Sequence, residues 1–391
     1  GVDAGALDAA RPDASVDAGP VGLSVCSVTA DLRWDRVSRP TSEPTVGGFN
    51  ESRVVWTGAE YVFLFVAYTG PRNSPTHAYL ARYNRDAEHI ATIETPITFG
   101  AFPKLWGLAW TGSELVMAYG VNADATLQRL ALDGTFHGEP VSIPGAGEIL
   151  WNGTELGLVY QRPGEGVRFR AYDSTLLVAT DPVVVSASGE LGLGQSLAWN
   201  GSRWVIAWID GTAPPSLTTL STTAVESTYV TARPGGGTSY ENSAVAAGGG
   251  STLFCWKYFY GMWDFETWCE RLDELGAPLA TPVKVVPRRS TMGGFMGLSR
   301  WGSGYVMIWA DSTPGFSDSF IWRDSAADFE TLARPADMNT SRWGYAYWES
   351  GFGLLEAGPD LVMQGRGDLI AGDPERSGYP HSRIRLSCPA P

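Results

Sequence analysis

An all-β fold assembled from a repeated unit is what this sequence predicts, and three observations carry the prediction. A short pattern recurs: an apolar run ends in tryptophan, a glycine turn follows, and an aromatic and β-branched run returns. The seven turn glycines fall at 58, 112, 153, 201, 249, 302 and 351, with spacings of 54, 41, 48, 48, 53 and 49. The composition agrees: 47 Gly and 25 Pro among 391 residues suit many short strands and turns, whereas runs suited to long helices are scarce.

The clearest copy is Leu197-Ala198-Trp199, then Asn200-Gly201, then Trp204-Val205-Ile206-Ala207-Trp208. Asn-Gly tolerates the positive φ angles of a type I′ turn, so a tight hairpin is expected there. Parallel copies turn at Trp56-Thr57-Gly58, Trp110-Thr111-Gly112 and Trp151-Asn152-Gly153, and weaker ones centre on Gly249, Gly302 and Gly351. Each unit reads as four strands. The inner strand ends at the tryptophan and the second follows the glycine. The third resembles Leu127-Gln128-Arg129-Leu130 or Trp268-Cys269-Glu270-Arg271-Leu272, and the fourth resembles Pro140-Val141-Ser142-Ile143 or Pro282-Val283-Lys284-Val285-Val286. A strand-patterned period near 50 lies in the range of propeller blades. Seven such units predict a seven-bladed β-propeller with four-stranded blades.

The seventh unit runs out of chain after its third strand, Arg383-Ile384-Arg385-Leu386-Ser387. The N-terminal segment Leu32-Arg33-Trp34-Asp35-Arg36-Val37-Ser38 is expected to supply the missing outer strand and close the ring, leaving no open sheet edge. Residues 1–20 are almost wholly Ala, Asp, Gly and Pro and cannot bury enough apolar surface to fold. They are expected to be a disordered linker before one propeller domain, 21–391.

The repeat resembles those of secreted and surface bacterial propeller proteins of lipoprotein-like type, over residues 21–387. The resemblance rests on the pattern just quoted, because the WD and Gly-Gly signatures of WD40 and kelch blades are not regularly present. Asn200-Gly201-Ser202-Arg203-Trp204 matches half of the sialidase Asp-box, with Trp199 in place of the Asp. The resemblance implies export to the periplasm, cell surface or exterior. The acidic, Ala-rich tether looks like a lipoprotein spacer, whose lipidated Cys would precede Gly1.

Four cysteines allow three pairings. Cys26 and Cys388 lie at the two ends of the folded region, and Cys255 and Cys269 bracket one hairpin, so two staples are expected. Oxidised cysteines also fit export. The net charge of −14 argues against a nucleic-acid partner. No apolar run has the length of a spanning helix. Four scattered histidines offer no metal-ligand spacing, and no nucleophile elbow, P-loop or dinucleotide fingerprint occurs. No metal or other cofactor is expected.

In this strand order the second-to-third and fourth-to-first connections share one face and vary in length, which favours that face for binding. The hairpin from Cys255 to Cys269 is the densest aromatic stretch, with Phe259, Tyr260, Trp263 and Asp264 near its tip. Apolar rings at an exposed tip are costly without a partner. A long connection, roughly 358–382, carries Arg366-Gly367-Asp368 and is expected to cover the channel mouth. The repeated Trp56, Trp110, Trp151 and Trp199 sit at one fixed place per unit, as packing between blades requires. The expectation is a monomeric, non-catalytic exported propeller that binds a glycan or a surface protein at Phe259, Tyr260, Trp263, Asp264, Arg366 and Asp368. The alternatives are a glycan-active hydrolase or lyase on the same scaffold, which needs converging carboxylates, and a structural assembly subunit.

Overall fold

A computed structural model of the chain describes residues 23–34, 49–68, 76–86, 88–99, 103–121, 124–162, 164–176, 180–187, 195–210, 213–231, 239–261, 264–290, 295–301, 304–310, 317–322, 330–333, 353–357, 360–364 and 381–387. Among these, every regular element is a strand. After β1 (Leu23–Trp34), a first sheet holds β2 (Phe49–Trp56), β3 (Glu60–Tyr68), β4 (Thr76–Asn84) and β5 (His89–Phe99). The second holds β6 (Pro103–Trp110), β7 (Leu115–Val121), β8 (Asp124–Leu130) and β9 (Phe136–Ile143). In the third are β10 (Ala146–Trp151), β11 (Leu156–Arg162), β12 (Gly166–Tyr172) and a two-residue β13 (Val183–Val184). The fourth comprises β14 (Ser196–Trp199), β15 (Trp204–Trp208), β16 (Ser216–Leu220) and β17 (Val225–Val230). β18 (Ser239–Gly248), β19 (Ser251–Gly261), β20 (Asp264–Asp273) and β21 (Val283–Ser290) form the fifth. Each is an antiparallel meander in chain order.

The last part of the chain forms one eight-stranded sheet. It contains β22 (Phe295–Trp301), β23 (Gly304–Ala310), β24 (Ser317–Trp322), β25 (Glu330–Ala333), β26 (Gly353–Ala357), β27 (Asp360–Gln364) and β28 (His381–Ser387). β1 lies between β25 and β28, in the order β22-β23-β24-β25-β1-β28-β27-β26. It runs antiparallel to β28, with Ser27 opposite Ser387, and parallel to β25.

The sheets pack face on face in sequence order, and each seam has its own apolar cluster. Val62, Leu64 and Leu80 meet Leu108 and Met117 between the first and second sheets. Val159 and Phe169 meet Trp204 and Ile206 between the third and fourth. The fifth sheet meets β23 through Leu253, Phe259, Tyr305 and Met307. A second strand is therefore buried on both faces, and all five residues of β15 are buried. This explains its continuous apolar run, where a one-sided strand would alternate. Outer strands are wetter: most of β9 and β17 is exposed.

First strands approach one another edge to edge, and a side chain three residues before the tryptophan serves the next sheet's free edge. Arg53 Nε donates to Trp106 O at 3.3 Å. Glu148 Oε2 accepts from Leu197 N at 3.1 Å, and Ser196 Oγ from Val245 N at 3.3 Å. Buried backbone groups need such partners. Successive four-stranded meanders with adjoining first strands are the arrangement of a β-propeller.

Two sequence expectations change in detail. The glycine turns are four-residue connections, not two-residue type I′ turns: Trp56 pairs Tyr61, Trp151 pairs Leu156 and Trp199 pairs Trp204. Gly201 has φ 106°, while Asn200 is not in the positive-φ region. Asn200 Oδ1 instead accepts from Ser202 N (3.0 Å) and Arg203 N (2.8 Å), the Asx chemistry of a wider turn. In the last unit β26 and β27 form a hairpin in which Ala357 pairs Asp360, while Gly351 lies outside the described residues. The connection expected at 358–382 accordingly contains β27 and narrows to residues 365–380.

Candidate ligand-binding site

The fifth sheet carries the longest hairpin pairing, from Ser251 opposite Asp273 to Gly261 opposite Asp264. Cys255 stands directly opposite Cys269, and the two are bonded, with Cα atoms 4.1 Å apart. Strand alternation sends Leu253, Cys255, Phe259, Phe265 and Cys269 into the seam with β23. The opposite face carries Tyr258, Tyr260, Glu266, Trp268 and Glu270 towards the fourth sheet.

On that face a buried carboxylate gathers three donors. Glu266 is 1% exposed. Its Oε1 accepts from Tyr260 Oη at 2.5 Å and Trp268 Nε1 at 2.6 Å, and its Oε2 lies 3.1 Å from Lys284 Nζ. Lys284 comes from β21, opposite Trp268, and its ammonium stands 5.3 Å from the Trp268 ring centroid, within cation–π reach. The Tyr258 and Tyr260 rings meet edge to face at 5.1 Å. Such charge-assisted bonds are short and directional, so one carboxylate fixes the orientation of a tyrosine, a tryptophan and a lysine that are only half-buried. Nearer the turn end, buried Glu270 accepts from Tyr229 Oη of β17 at 2.8 Å. Burial raises the Glu270 pKa, against the Tyr229 hydrogen bond. Burial, then that same bond, raises the Tyr229 pKa.

The sequence-predicted residues fare unequally. Tyr260 is half-buried and stands in this constellation. Phe259, expected at an exposed tip, is 8% exposed and packs at 5.9 Å against Phe265. Its parity with Cys255 sends it into the seam. Asp264 opens β20 opposite Gly261. Trp263, Arg366, Asp368 and Cys388 lie outside the described residues, and with Cys388 the expected Cys26–Cys388 bond.

No protein-family model matches the chain. No curated protein matches it either. Among solved structures it is similar to the Dos1 propeller, at 11% identity and TM-score 0.48, over 86% of this chain and 78% of that one. It is also similar to the β-propeller domain of the Trilobed protease from Pyrococcus furiosus (11%, 0.49, 83% and 92%). A third is the GH93 alpha-L-arabinofuranosidase of Fusarium graminearum in complex with arabinobiose (10%, 0.43, 88% and 95%).

Glu266, Trp268, Lys284, Glu270 and Tyr229 were not singled out from the sequence. Once Cys255 and Cys269 are given one face, alternation alone puts Glu266, Trp268 and Glu270 together on the other. Lys284 and Tyr229 come from other strands and leave no local signal. A second titratable feature lies on the first strands, where burial raises the Glu148 pKa to about 7, opposed by the Leu197 N–H and by Arg53. Arg53 belongs to the first sheet and Glu148 to the third, and the charge of Arg53 still reaches Glu148. The described residues contain no group of three or more His, Cys, Asp or Glu placed to hold a metal ion.

Proposed function

We propose that the chain is an exported, monomeric, non-catalytic propeller that binds a glycan on the face carrying the tip of the β19–β20 hairpin. The observation that carries the reading is Glu266 with its three donors. It holds Tyr260, Trp268 and Lys284 in fixed positions beneath the tip, and a rigid aromatic surface loses little entropy when a sugar ring stacks on it. The half-buried lysine adds a donor for hydroxyl or acidic groups. The buried Cys255–Cys269 bond supports export, since such bonds persist in oxidising compartments.

The finer architecture belongs to the same proposal: seven four-stranded blades in a ring closed by β1. In its support, β1 completes a four-stranded meander with β28, β27 and β26, and β26 lies beside both β22 and β2.

A glycan array probed with the full chain, followed by a hydrolysis assay on every ligand found, tests the function. Tyr260→Ala and Trp268→Ala are expected to weaken binding by about 1–3 kcal/mol, the range of an aromatic anchor, with the fold retained. Failure to bind any glycan, or unchanged affinity in both variants, overturns the site. Turnover of a bound glycan overturns the non-catalytic half of the proposal.

A further inference from the structure

Between the second and third sheets, two arginines stand beside the apolar cluster of the seam. Val167, Phe169 and Ala171 of β12 join the cluster shared with the fourth sheet. Alternation therefore sends Arg168, Arg170 and Tyr172 to the opposite face, towards the second sheet. On neighbouring β11, Tyr160 is opposite Arg168 and Leu158 is opposite Arg170. Tyr160 and Tyr172 belong to the cluster whose facing wall includes Ala118, Ala125 and Leu127. The same face of the second sheet carries Arg129, opposite Val116, with the Glu114 carboxylate already held by Arg129 at 3.0 Å and by His137 at 2.9 Å.

The polar groups in this seam are short of partners. Tyr172 is fully buried, and neither its Oη nor the buried Arg170 Nε has a well-formed hydrogen bond, although the Arg170 side chain comes close enough to the phenol to interact with it. Arg168 Nε donates to the Glu165 backbone oxygen at 3.1 Å. Among the described residues, neither arginine forms an ion pair. Glu165, whose charge acts on Tyr160, is engaged by Arg162 at 2.6 Å. Burial raises the pKa of both phenols, while Arg170 acts on both to lower it. Arg168, Tyr172 and Glu165 also act on Tyr160, so Tyr160 lies within electrostatic reach of both arginines and of the second phenol.

We propose that this seam binds an oxyanion group, a carboxylate, sulfate or phosphate, between Arg168, Arg170 and the hydroxyls of Tyr160 and Tyr172. A guanidinium offers paired N–H donors matched to two oxygens of such a group, and a phenol adds one more. A guanidinium partly withdrawn from water without an anion is unfavourable, and a bound oxyanion supplies both a counter-charge and an acceptor for the Arg170 Nε–H. The site is independent of the Tyr260–Glu266–Trp268 constellation.

The test titrates the full chain, freed of polyvalent anions, with inorganic sulfate, inorganic phosphate or glucuronate at constant ionic strength, using chloride as reference. Calorimetry and the thermal midpoint are read together. Saturable binding and a matching rise in Tm are expected with at least one oxyanion and not with chloride. Saturation by the inorganic ions alone identifies a free tetrahedral anion as the ligand, and saturation by glucuronate alone identifies the carboxylate of an acidic sugar. Arg170→Gln is expected to lower the affinity about tenfold or more, and Tyr172→Phe several-fold. Absence of saturable binding overturns the proposal, as does equal affinity in Arg170→Gln. Should that variant not fold, full affinity in both Arg168→Gln and Tyr172→Phe overturns it instead.

Discussion

At Gly157 the third sheet leaves no room for a methyl group. A Cβ there would stand 2.6 to 2.9 Å from three ring atoms of Trp204, the fully buried indole at the start of β15. Neither strand can retreat, because each is hydrogen-bonded on both sides. Gly157→Ala is expected to cost about 1–3 kcal/mol as an overpacking change, read as a lower denaturant midpoint at unchanged slope. Combining it with Trp204→Phe is expected to cost less than the sum of the two changes, since the smaller ring relieves the clash. Glu148 makes a residue-scale prediction in pH. Its folded pKa, about 7, lies above the ordinary 4.5, so the folded chain holds the proton more tightly than the unfolded one. The associated stability is complete below about pH 4.5 and is lost as pH rises through about 7. Glu148→Gln keeps an amide oxygen for the Leu197 N–H and removes the ionisation. Unfolding curves at pH 4.5 and 8 are expected to show the variant gaining relative to the native chain at the higher pH. An unchanged difference would mean that Glu148 ionises as freely in the fold as outside it.

The hairpin of the fifth sheet is the element whose behaviour depends most on one covalent bond. Cys255 and Cys269 close a short loop, 14 residues apart in sequence. Replacing both with Ala is expected to cost about 2–4 kcal/mol, partly through the unfolded chain and partly through lost packing against Met307. Denaturant unfolding of the double variant beside the native chain reads the loss. The glycan affinity is expected to fall less than the stability, because Glu266 and its three donors occupy the other face. Elements were also the scale at which the sequence was most legible. Tryptophan followed by Thr-Gly or Asn-Gly marked the ends of β2, β6, β10 and β14, because that position recurs at the first hairpin of each of the first four sheets. The turn width was not legible: Asn-Gly suits a two-residue turn as well as a four-residue one, and the Asn200 side-chain bonds to Ser202 and Arg203 decide between them. In the site, Tyr260 could be anticipated from its position near a tip. Lys284 and Tyr229 could not, because their contact with Glu266 and Glu270 depends on β21 and β17 being folded beside β20.

At the scale of the molecule, the main question is how the two ends of the chain meet. Repeat arrays are stabilised by neighbour contacts, and an unpaired terminal unit is their weak point. Here the N-terminal strand β1 takes the outer place beside β28, pairing Ser27 with Ser387 and Trp34 with His381. Its other edge meets β25, so one strand joins the last eight-stranded assembly from the opposite end of the sequence. The composition of residues 1–20 gives them nothing to bury, whereas 23–34 provides a ladder on two sides. Two truncations therefore separate linker from strand. Removing residues 1–20 is expected to leave the thermal midpoint unchanged within error. Removing 1–34 exposes the edges of β25 and β28 together, and is expected to lower the midpoint by many degrees and promote association through the bare edges. Non-reducing peptide mapping adds a covalent measure, because a Cys26–Cys388 bond would lock the same strand pair and close a loop worth roughly 6 kcal/mol in the chain-entropy account. Equal midpoints for the two truncations would show that β1 adds no stability to the sheet it joins, and ring closure by this strand would then have to be abandoned.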